Sequence, residues 1–221
     1  MKININKLAF LNWFRFFEIT AVIFSFPFGI FLYYLLFKQF TPSLILIPIM
    51  FIAYFCADIF AGIVHWAGDT LGNENTPFWG KNFVQPFRLH HTNPKLMTTI
   101  SLWENLGSSC ILAIIVQLTL YTLLKTIKLN DSAGLLFIFL NSLFIMTALT
   151  NLFHRFAHLE AIERPKFILF LQRYHLILNP THHQIHHTYP HSTYFCVTNG
   201  WANYILAKIK FWNILNKLKK L

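Results

Sequence analysis

Acidic and charged residues are scarce in this 221-residue chain. Asp and Glu together number 8, all charged residues make up 12% of the sequence, and hydrophobic residues make up 55%. A soluble domain of this length needs a more polar surface, so the composition excludes an ordinary soluble globular protein. The shortage of acids also leaves a net charge of +10, which suits an anionic membrane surface and requires no nucleic-acid partner.

Cysteine is equally sparse. The three cysteines, Cys56, Cys110 and Cys196, are odd in number and far apart. This pattern excludes a disulfide framework, a C-x-x-C zinc or redox motif and a cysteine-ligated haem or iron–sulfur centre. The absence of E-x-x-H and H-E-x-x-H sequences argues against a soluble carboxylate di-iron bundle and against a zincin protease.

Four long apolar runs are present, at approximately Phe16 to Phe37, Leu44 to His65, Leu106 to Leu124 and Leu135 to Phe153. An apolar run of about 18 residues or more can cross a bilayer as a helix. The first run is too long for a signal peptide and lacks a cleavage site, so we expect it to be retained. The sequence therefore predicts an all-α membrane protein with four transmembrane helices, forming a single membrane-embedded domain over residues 1–221.

Basic residues are distributed unevenly between the two sides that four spans create. Fifteen of the 18 Lys and Arg residues lie in the N-terminal segment, in the loop between spans two and three, or after span four. The other three are Lys38, Lys125 and Lys128. By the positive-inside rule the basic side is cytoplasmic, so we expect both termini in the cytoplasm.

Two segments are predicted to lie along the membrane surface. The segment from Pro165 to Leu178 is apolar but too short to span, which favours an interfacial or re-entrant helix. The C-terminal segment WANYILAKIKFWNILNKLKKL is expected to be amphipathic, with lysines toward lipid headgroups. Its apolar residues expected to face lipid are Ile205, Ile209, Trp212 and Leu215.

Histidines are confined to one part of the chain. All 11 lie between His65 and His191, and under the predicted topology each is cytoplasmic or at the cytoplasmic end of a span. Scattered surface histidines have no reason to converge at one membrane depth, so we predict a cytoplasmic histidine-rich cap that forms a site. Crowded imidazoles repel one another once protonated, which leaves a metal centre or a pH switch as the reason for such a cluster.

The spacing of these histidines fits coordination from helices. His154 and His158 are four residues apart and share a helix face with Asn151. A second set recurs at i, i+3 and i+4, namely His183, His186 and His187. A site of about eight imidazoles is too rich for one tetrahedral zinc, but it suits two iron ions with about four imidazoles each and positions open to dioxygen.

Four sequence blocks resemble one known family in their order and spacing. They are ADIFAGIVHWAGDT, PFRLHHTNP, NLFHRFAH and RYHLILNPTHHQIHHTYPHSTYFCVTNGWANY, and they cover roughly Ala57 to Trp212. The pattern resembles the histidine-box desaturases and hydroxylases of membranes. It is more closely similar to the plasmanylethanolamine desaturase family, which includes plant chloroplast acyl-lipid desaturases.

This resemblance implies a di-iron enzyme that uses O2 to form a cis double bond. In the plasmanyl branch the bond forms beside the ether oxygen of the sn-1 chain, which converts a 1-O-alkyl phospholipid into a vinyl ether. The implied partners are a phospholipid substrate in the membrane and an external electron donor of the cytochrome b5 or ferredoxin type, because the chain has no haem or iron–sulfur motif of its own.

The metal ligands expected from the resemblance are eight histidines, namely His65, His90, His91, His154, His158, His183, His186 and His187. His182 and His175 are alternates. Asp58, Asp69 and Asn151 are expected to accept hydrogen bonds from ligand imidazoles, because a ligand needs a fixed tautomer and orientation. Asp58 lies inside a span, where an acid is costly, so we expect it to face the helix bundle.

Two basic residues flank the middle histidine pair. Arg88 and Lys95 are weak candidates for contact with a lipid phosphate, although a solvated or membrane-facing charge explains either one alone.

Two other functions stay open on the sequence. An acyl-lipid desaturase or a hydroxylase would use the same di-iron site. A membrane metal-ion transporter or metal-binding protein is the alternative of another class. A transporter needs ionisable residues near the midplane of several spans, and the predicted spans hold only Asp58 and Glu18, both nearer the span ends.

Overall fold

A computed structural model gives the structure of residues 5–39 and 44–219, with side chains described from residue 13 onward. The termini Met1 and Leu221, which were expected in the cytoplasm, lie outside the described residues. The same is true of Lys2 and Lys220 and of the side chain of Lys7, which contribute to the charge bias. The sidedness of the membrane topology therefore stays a prediction.

The described residues form ten α-helices and two short helices of other types, and none of them is in a strand. In chain order the α-helices are α1 (Ile5–Gln39), α2 (Leu46–Thr70), α3 (Gln85–Thr92), α4 (Leu96–Thr99), α5 (Leu102–Thr126), α6 (Asp131–His158), α7 (Lys166–Arg173), α8 (Pro180–His186), α9 (Trp201–Lys208) and α10 (Phe211–Leu218). A π-helical turn occupies Gly80–Val84 and a 3-10 turn occupies Ala161–Glu163. The prediction of an all-α protein is confirmed.

Four of the described helices are long and apolar enough to cross a membrane. They are Trp13–Gln39, Leu46–Thr70, Leu102–Thr126 and Asp131–His158, which confirms the prediction of four transmembrane helices. The helices extend past the predicted runs because hydropathy marks only the apolar part of a helix, whereas polar capping residues set its ends. At the start of α5, for example, the Ser101 side chain accepts a hydrogen bond from the Glu104 amide.

Unit 1 of the fold comprises Met1–Tyr54 and Ser101–Leu149. Its buried apolar core consists of Leu32, Leu36, Leu120, Leu124, Phe137 and Ile138. Close packing of α1 on α5 requires a small residue at Gly107, because a Cβ atom there would lie 2.5 Å from the Cβ of Glu18.

Unit 2 comprises Phe55–Ile100 and Thr150–Leu221 and contains all of the histidines. One buried cluster consists of Trp66, Phe195, Cys196, Ala202, Leu206 and Trp212. A second consists of Ala61, Ala157, Leu178 and Val197. These clusters hold the ends of α2 and α6 and the segments around α8 and α9 in one packed body. The prediction of a single domain over the whole chain is not tested by this division and stays a prediction.

The segment expected to be one helix from Pro165 to Leu178 is shorter in the structure. Helix α7 ends at Arg173, and side-chain hydrogen bonds replace the helical pattern beyond it. The Gln172 amide donates to the Leu178 carbonyl at 3.0 Å, and the Asn179 amide donates to the Gln172 carbonyl at 3.0 Å. These bonds fold the chain back on itself, so the helix covers only about half of the predicted length.

The C-terminal segment also differs from the prediction. It breaks into α9 and α10 at Lys210, whose φ of 54° is left-handed. Trp212 does not face lipid, because it is 1% exposed and its ring packs on Phe195 with centroids 4.8 Å apart. Leu215 packs partly buried against the same cluster. The break redirects the apolar stripe of α10 into the protein, which a single continuous helix could not do.

Candidate metal centre

Four short segments of unit 2 carry the histidines of the site. The end of α2 provides His65, and α3 provides the adjacent pair His90 and His91. The end of α6 provides His154 and His158, and α8 with the residue that follows it provides the H-x-x-H-H set. The start of α8 is fixed by Asn179, whose side chain accepts hydrogen bonds from the amides of Thr181 and His182. This cap sets the helical register that places the i, i+3 and i+4 imidazoles on one face.

The first cluster is called the five-histidine group here, and its members are His90, His154, His158, His183 and His187. Their ligand nitrogens all lie within 4.8 Å of one another. The Nε2 atom of His183 lies 2.8 Å from that of His154 and 3.0 Å from that of His158. It is also 3.0 Å from the Nε2 of His187, which in turn lies 3.0 Å from the Nε2 of His90.

These distances are not explained by hydrogen bonding alone. One Nε2 carries at most one proton, so the contacts of His183 with three other Nε2 atoms cannot all be good hydrogen bonds. Nitrogen ligands about 2.1 Å from one metal ion and at right angles to each other are separated by about 3.0 Å. The geometry of the five-histidine group therefore fits ligands that surround a common cation.

The second cluster is called the Asp69 group, and it consists of Asp69, His65, His91 and His186. The Oδ2 atom of Asp69 lies 2.9 Å from Nε2 of His91, 3.5 Å from Nε2 of His186 and 3.6 Å from Nε2 of His65. A carboxylate oxygen among three imidazole nitrogens is a donor set that suits a divalent transition metal.

Backbone carbonyls orient two imidazoles of the Asp69 group. The Nδ1 of His65 bonds the Phe195 carbonyl at 3.2 Å, and the Nδ1 of His186 bonds the Thr193 carbonyl at 2.8 Å. Because a carbonyl only accepts, each Nδ1 must carry the proton, which leaves the Nε2 lone pair free. Both Nε2 atoms are buried without a hydrogen-bond partner, so both are available as metal ligands.

Burial favours the neutral form of three imidazoles of the five-histidine group, His90, His183 and His187. Burial is the main cause that lowers the pKa of His90 and His183 far below the usual range, and nearby histidines add to it. The same causes lower the pKa of His187 to about 2. Neutral imidazole is the form that binds metal, so these three histidines are in the binding form at physiological pH.

All eight histidines predicted as ligands lie in these two groups. The expectation of about four imidazoles on each metal stays a prediction, and the possible ligands fall into one group with five histidines and one with three. Asp69 was expected to accept a hydrogen bond from a ligand, and its Oδ2 lies 2.9 Å from Nε2 of His91. The same Oδ2 also belongs to the group of possible metal ligands. The carboxylate is the fourth possible ligand of the Asp69 group, beside its three imidazoles.

Asp58 has different partners from those expected. It is fully buried, and its Oδ1 accepts hydrogen bonds from the amides of Thr198, Asn199 and Gly200, while its Oδ2 accepts one from Ala202. The carboxylate therefore fixes the loop that follows Phe195, and it acts on the ligands through that loop rather than by direct contact with an imidazole.

The remaining histidine candidates lie outside both groups. His182 is buried, but its Nε2 accepts a hydrogen bond from the Asn203 amide at 3.0 Å, so that lone pair is already used. His175 is exposed. His191 bonds the His186 carbonyl through Nδ1. Asn151 lies half-buried on α6 and is also outside the groups.

The two basic candidates for lipid phosphate have partners within the protein. Arg88 donates to the carbonyls of Asp69, Leu71 and Gly72 at the end of α2. Lys95 forms an exposed ion pair with Glu160 at 2.7 Å. Arg88 therefore caps a helix that carries two members of the Asp69 group.

Two positioning residues could not be recognised from the sequence. The Asn203 side chain forms two hydrogen bonds with the backbone of Cys196: it accepts one from the amide at 2.9 Å and donates one to the carbonyl at 2.8 Å. These bonds fix the backbone next to Phe195. Arg155 donates to the carbonyls of Thr98 and Ile100, both at 2.6 Å. Both roles depend on contacts distant in sequence, and no local motif marks them.

Comparison with known proteins gives consistent matches. The lipid desaturase domain model matches residues 54–220, which include both histidine groups. The chain is 33% identical over 204 residues to plasmanylethanolamine desaturase of Myxococcus xanthus, covering 91% of this chain and 70% of the relative. It is 37% identical over 165 residues to plasmanylethanolamine desaturase 1 of Mus musculus, covering 73% of this chain and 60% of the relative.

A more distant match is fatty acid desaturase 4, chloroplastic, of Arabidopsis thaliana, at 28% identity over 73% of this chain and 48% of the relative. No solved structure matches the chain. The resemblance seen in the four histidine blocks is confirmed. These relatives carry the names of desaturases, which are oxidoreductases, so the chain is an enzyme of that kind and the transporter alternative is set aside.

Proposed function

The chain belongs to the lipid desaturase family, and we propose that it is a di-iron, O2-dependent enzyme that forms the vinyl ether bond of plasmalogens from 1-O-alkyl phospholipid. The observation that carries this proposal is the convergence of eight imidazoles and one carboxylate into two adjoining ligand sets. The substrate branch is supported by the two relatives named plasmanylethanolamine desaturase, which are 33% and 37% identical to the chain.

We propose that each group holds one iron ion. The five-histidine group would present nitrogen ligands only, whereas the Asp69 group adds a negative charge. Iron bound in these sets would supply the one-electron redox chemistry needed to use O2. The different donor sets make the two positions chemically distinct, because a carboxylate is a harder and more electron-donating ligand than imidazole.

The protein's own contribution is orientation and exclusion of water. The carbonyls of Phe195 and Thr193 fix the tautomers of His65 and His186. The His183 and His186 side chains are at most 2% exposed, which keeps bulk water from competing for the metal positions. A site fixed in this way need not reorganise when the substrate arrives.

The proposal includes the topology and partners predicted from the sequence. The active site and both termini would lie on the cytoplasmic side, where 15 of the 18 basic residues fall under the four-span arrangement. The substrate would be a phospholipid that stays in the bilayer. Electrons would come from an external carrier of the cytochrome b5 or ferredoxin type.

A second candidate is an acyl-lipid desaturase with the same metal site. It is favoured by the match to fatty acid desaturase 4, chloroplastic, and by a 30% match to a mimivirus protein named as a probable fatty acid desaturase. A hydroxylase would also use this site. The outcomes differ in the product formed, because desaturation removes two hydrogens and hydroxylation adds an oxygen atom.

The test is lipidomics of a host that lacks vinyl ethers, with and without the protein, after feeding a 1-O-alkyl phospholipid. We expect vinyl ether lipid only with the protein and only in the presence of O2. Purified protein should contain about two irons per chain. Product formed without O2, or one zinc per chain as the only metal, would refute the di-iron proposal, whereas an acyl double bond would change the substrate branch alone.

A further inference from the structure

A polar pocket of about 190 Å3 lies on the surface of unit 2. Its polar lining comes from Ser192, Thr193, Lys210 and Asn213, and the buried ring of Trp212 forms part of its wall. Lys210 is exposed and stands at the break between α9 and α10. The catalytic proposal above assigns no role to this pocket.

Two short routes connect the pocket to the Asp69 group. Thr193 lines the pocket, and its carbonyl bonds the Nδ1 of His186 at 2.8 Å, so one residue separates the pocket from a proposed ligand. Trp212 also lines the pocket, and its ring packs edge-on against Phe195, which in turn packs on His186; both centroid distances are 4.8 Å. Both routes end on the same imidazole.

One lysine, Lys210, lines the pocket, and the two helices that meet at Lys210 carry further lysines. Helices α9 and α10 with the residues that follow carry four exposed lysines, namely Lys208, Lys210, Lys217 and Lys219. From Arg164 to the end of the chain the sequence contains no Asp or Glu. A surface of this kind attracts a partner that presents carboxylates and accelerates its encounter with the protein.

We propose that this pocket is the docking surface for an acidic one-electron carrier protein, which passes electrons through Thr193 and the Trp212–Phe195 pair to the iron ion that the Asp69 group would hold. This inference rests on the proposed function. An electron-transfer encounter is typically small, below about 1,200 Å2 of buried surface, so a pocket with lysines on the adjoining helices suffices. The short routes distinguish this surface from basic residues that only contact lipid headgroups.

The electron balance requires such a partner. Forming one carbon–carbon double bond takes two electrons and two protons from the substrate. Reducing one O2 to two waters consumes four electrons and four protons. Two electrons must therefore come from two molecules of reduced carrier, and two protons from solvent.

The experiment uses the iron-loaded protein in nanodiscs of neutral lipid and the reduced soluble haem domain of a cytochrome b5 as the probe. Stopped-flow absorbance gives the second-order rate of haem oxidation, and calorimetry gives the affinity of the oxidised domain for the metal-free protein. We expect Lys210→Glu to lower the rate about tenfold and to reduce its dependence on salt. Lys210→Gly removes the charge and suits the left-handed backbone, so a smaller loss in this variant excludes misfolding as the cause.

Lys166→Glu is the matched control, since it makes the same charge change at an exposed position on α7. Equal rates and affinities for Lys210→Glu and Lys166→Glu would overturn the docking proposal. So would an effect of Lys210→Glu that appears only when anionic lipid is added, because the lysine would then act on the lipid surface. Dithionite reduction followed by O2 gives the single-turnover yield without a carrier, and failure of the wild type to form product in that assay refutes the proposed function instead.

Discussion

Both units contain polar side chains with ordinary hydrogen bonds, but unit 2 also contains crowded groups of imidazoles. In unit 1, the Tyr33 and Ser142 hydroxyls share a hydrogen bond of 2.6 Å, and the Asn141 amide donates to the Gly29 carbonyl at 2.9 Å. In unit 2, imidazole nitrogens face one another at about the same separation, as in the 2.8 Å contact of His154 with His183. Hydrogen bonds of the first kind form with the fold, whereas the crowded nitrogens cannot all be satisfied by hydrogen bonds to one another and fit the ligands of a common cation.

Unpaired polar atoms occur in unit 1 as well, at the Gln117 amide. That amide is neutral and belongs to no group of possible metal ligands among the described residues. In unit 2 most of the unpaired atoms belong to the two histidine groups, and they include Nε2 of His65 and of His186. A functional centre is therefore distinguished from other parts of the core by the clustering and chemical type of its unpaired polar atoms, more than by their number.

The largest expected effect comes from removing one ligand in unit 2. His187→Ala and His154→Ala should each reduce product formation at least about 100-fold, because losing a ligand costs more than losing its supporting hydrogen bond. The protein should still insert, since apolar burial inserts the spans. Lipid product and membrane expression are measured together. Activity near the wild-type level in both variants would contradict the proposal that the imidazole groups of unit 2 form a functional centre.

His175→Ala and His191→Ala are the matched controls for that experiment, because both change a histidine outside the two groups. His175 is exposed, so its variant should keep full activity and iron content. His191 contacts the His186 carbonyl, so its variant should be milder than either ligand variant.

The next effect in size concerns the support of the Asp69 group. Asn203→Ala frees the backbone of Cys196 beside Phe195 and should lower iron affinity about 10- to 100-fold. Mössbauer spectra should show the change mainly at one of the two irons, because the Phe195 carbonyl serves His65 alone among the proposed ligands. Asn75→Ala, at an exposed position, is the control. An equal change at both irons would mean that Asn203 supports the fold in general.

Lowering the pH should reduce the stability of unit 2, but not of unit 1, in the metal-free protein. Burial is the main cause that lowers the pKa of His182 to about 4 from its ordinary 6.5, with a further contribution from His175. Between these values the unfolded chain binds a proton that the folded unit does not, so stability falls as the pH falls. Unit 1 contains no histidine. Hydrogen exchange at about pH 7 and about pH 5 should show lost protection in unit 2, and equal loss in unit 1 would contradict this account.

A smaller effect is expected from a hydrogen bond in unit 1. Tyr33→Phe removes the bond to Ser142 and should lower stability by about 0.6 kcal/mol, a typical value for such bonds in membranes. Iron content and product formation should not change. Chemical denaturation in detergent measures the stability, and a loss of iron in this variant would show that the two kinds of polar contact are not independent.

The smallest effect is expected at Lys95. Its ion pair with Glu160 is exposed on both sides, and such pairs contribute little. Lys95→Gln should therefore leave product formation within about twofold of wild type. A larger loss with a raised KM for phospholipid would restore the interpretation of Lys95 as a phosphate contact.

Local patterns in the sequence were sufficient to predict the four long apolar helices and to select the histidines that the structure brings together. Hydropathy identifies a span because residues in contact with lipid must be apolar. The i, i+4 spacing of His154 and His158 places them on one face of any α-helix. The division into five and three histidines was not predictable, because it depends on which helix ends pack together. The burial of Trp212 was missed for the same reason, since the break at Lys210 is a single residue with positive φ and has no sequence signature.

The distribution of the ligands along the chain has a consequence for biogenesis. Both groups draw members from well-separated segments: the Asp69 group runs from His65 to His186, and the five-histidine group runs from His90 to His187. During synthesis neither set is complete until α8 has emerged from the ribosome, long after α2 has entered the membrane. If the two groups hold iron as proposed, loading is a late step that follows insertion. A product truncated before α8 retains all four long apolar helices but cannot assemble either group.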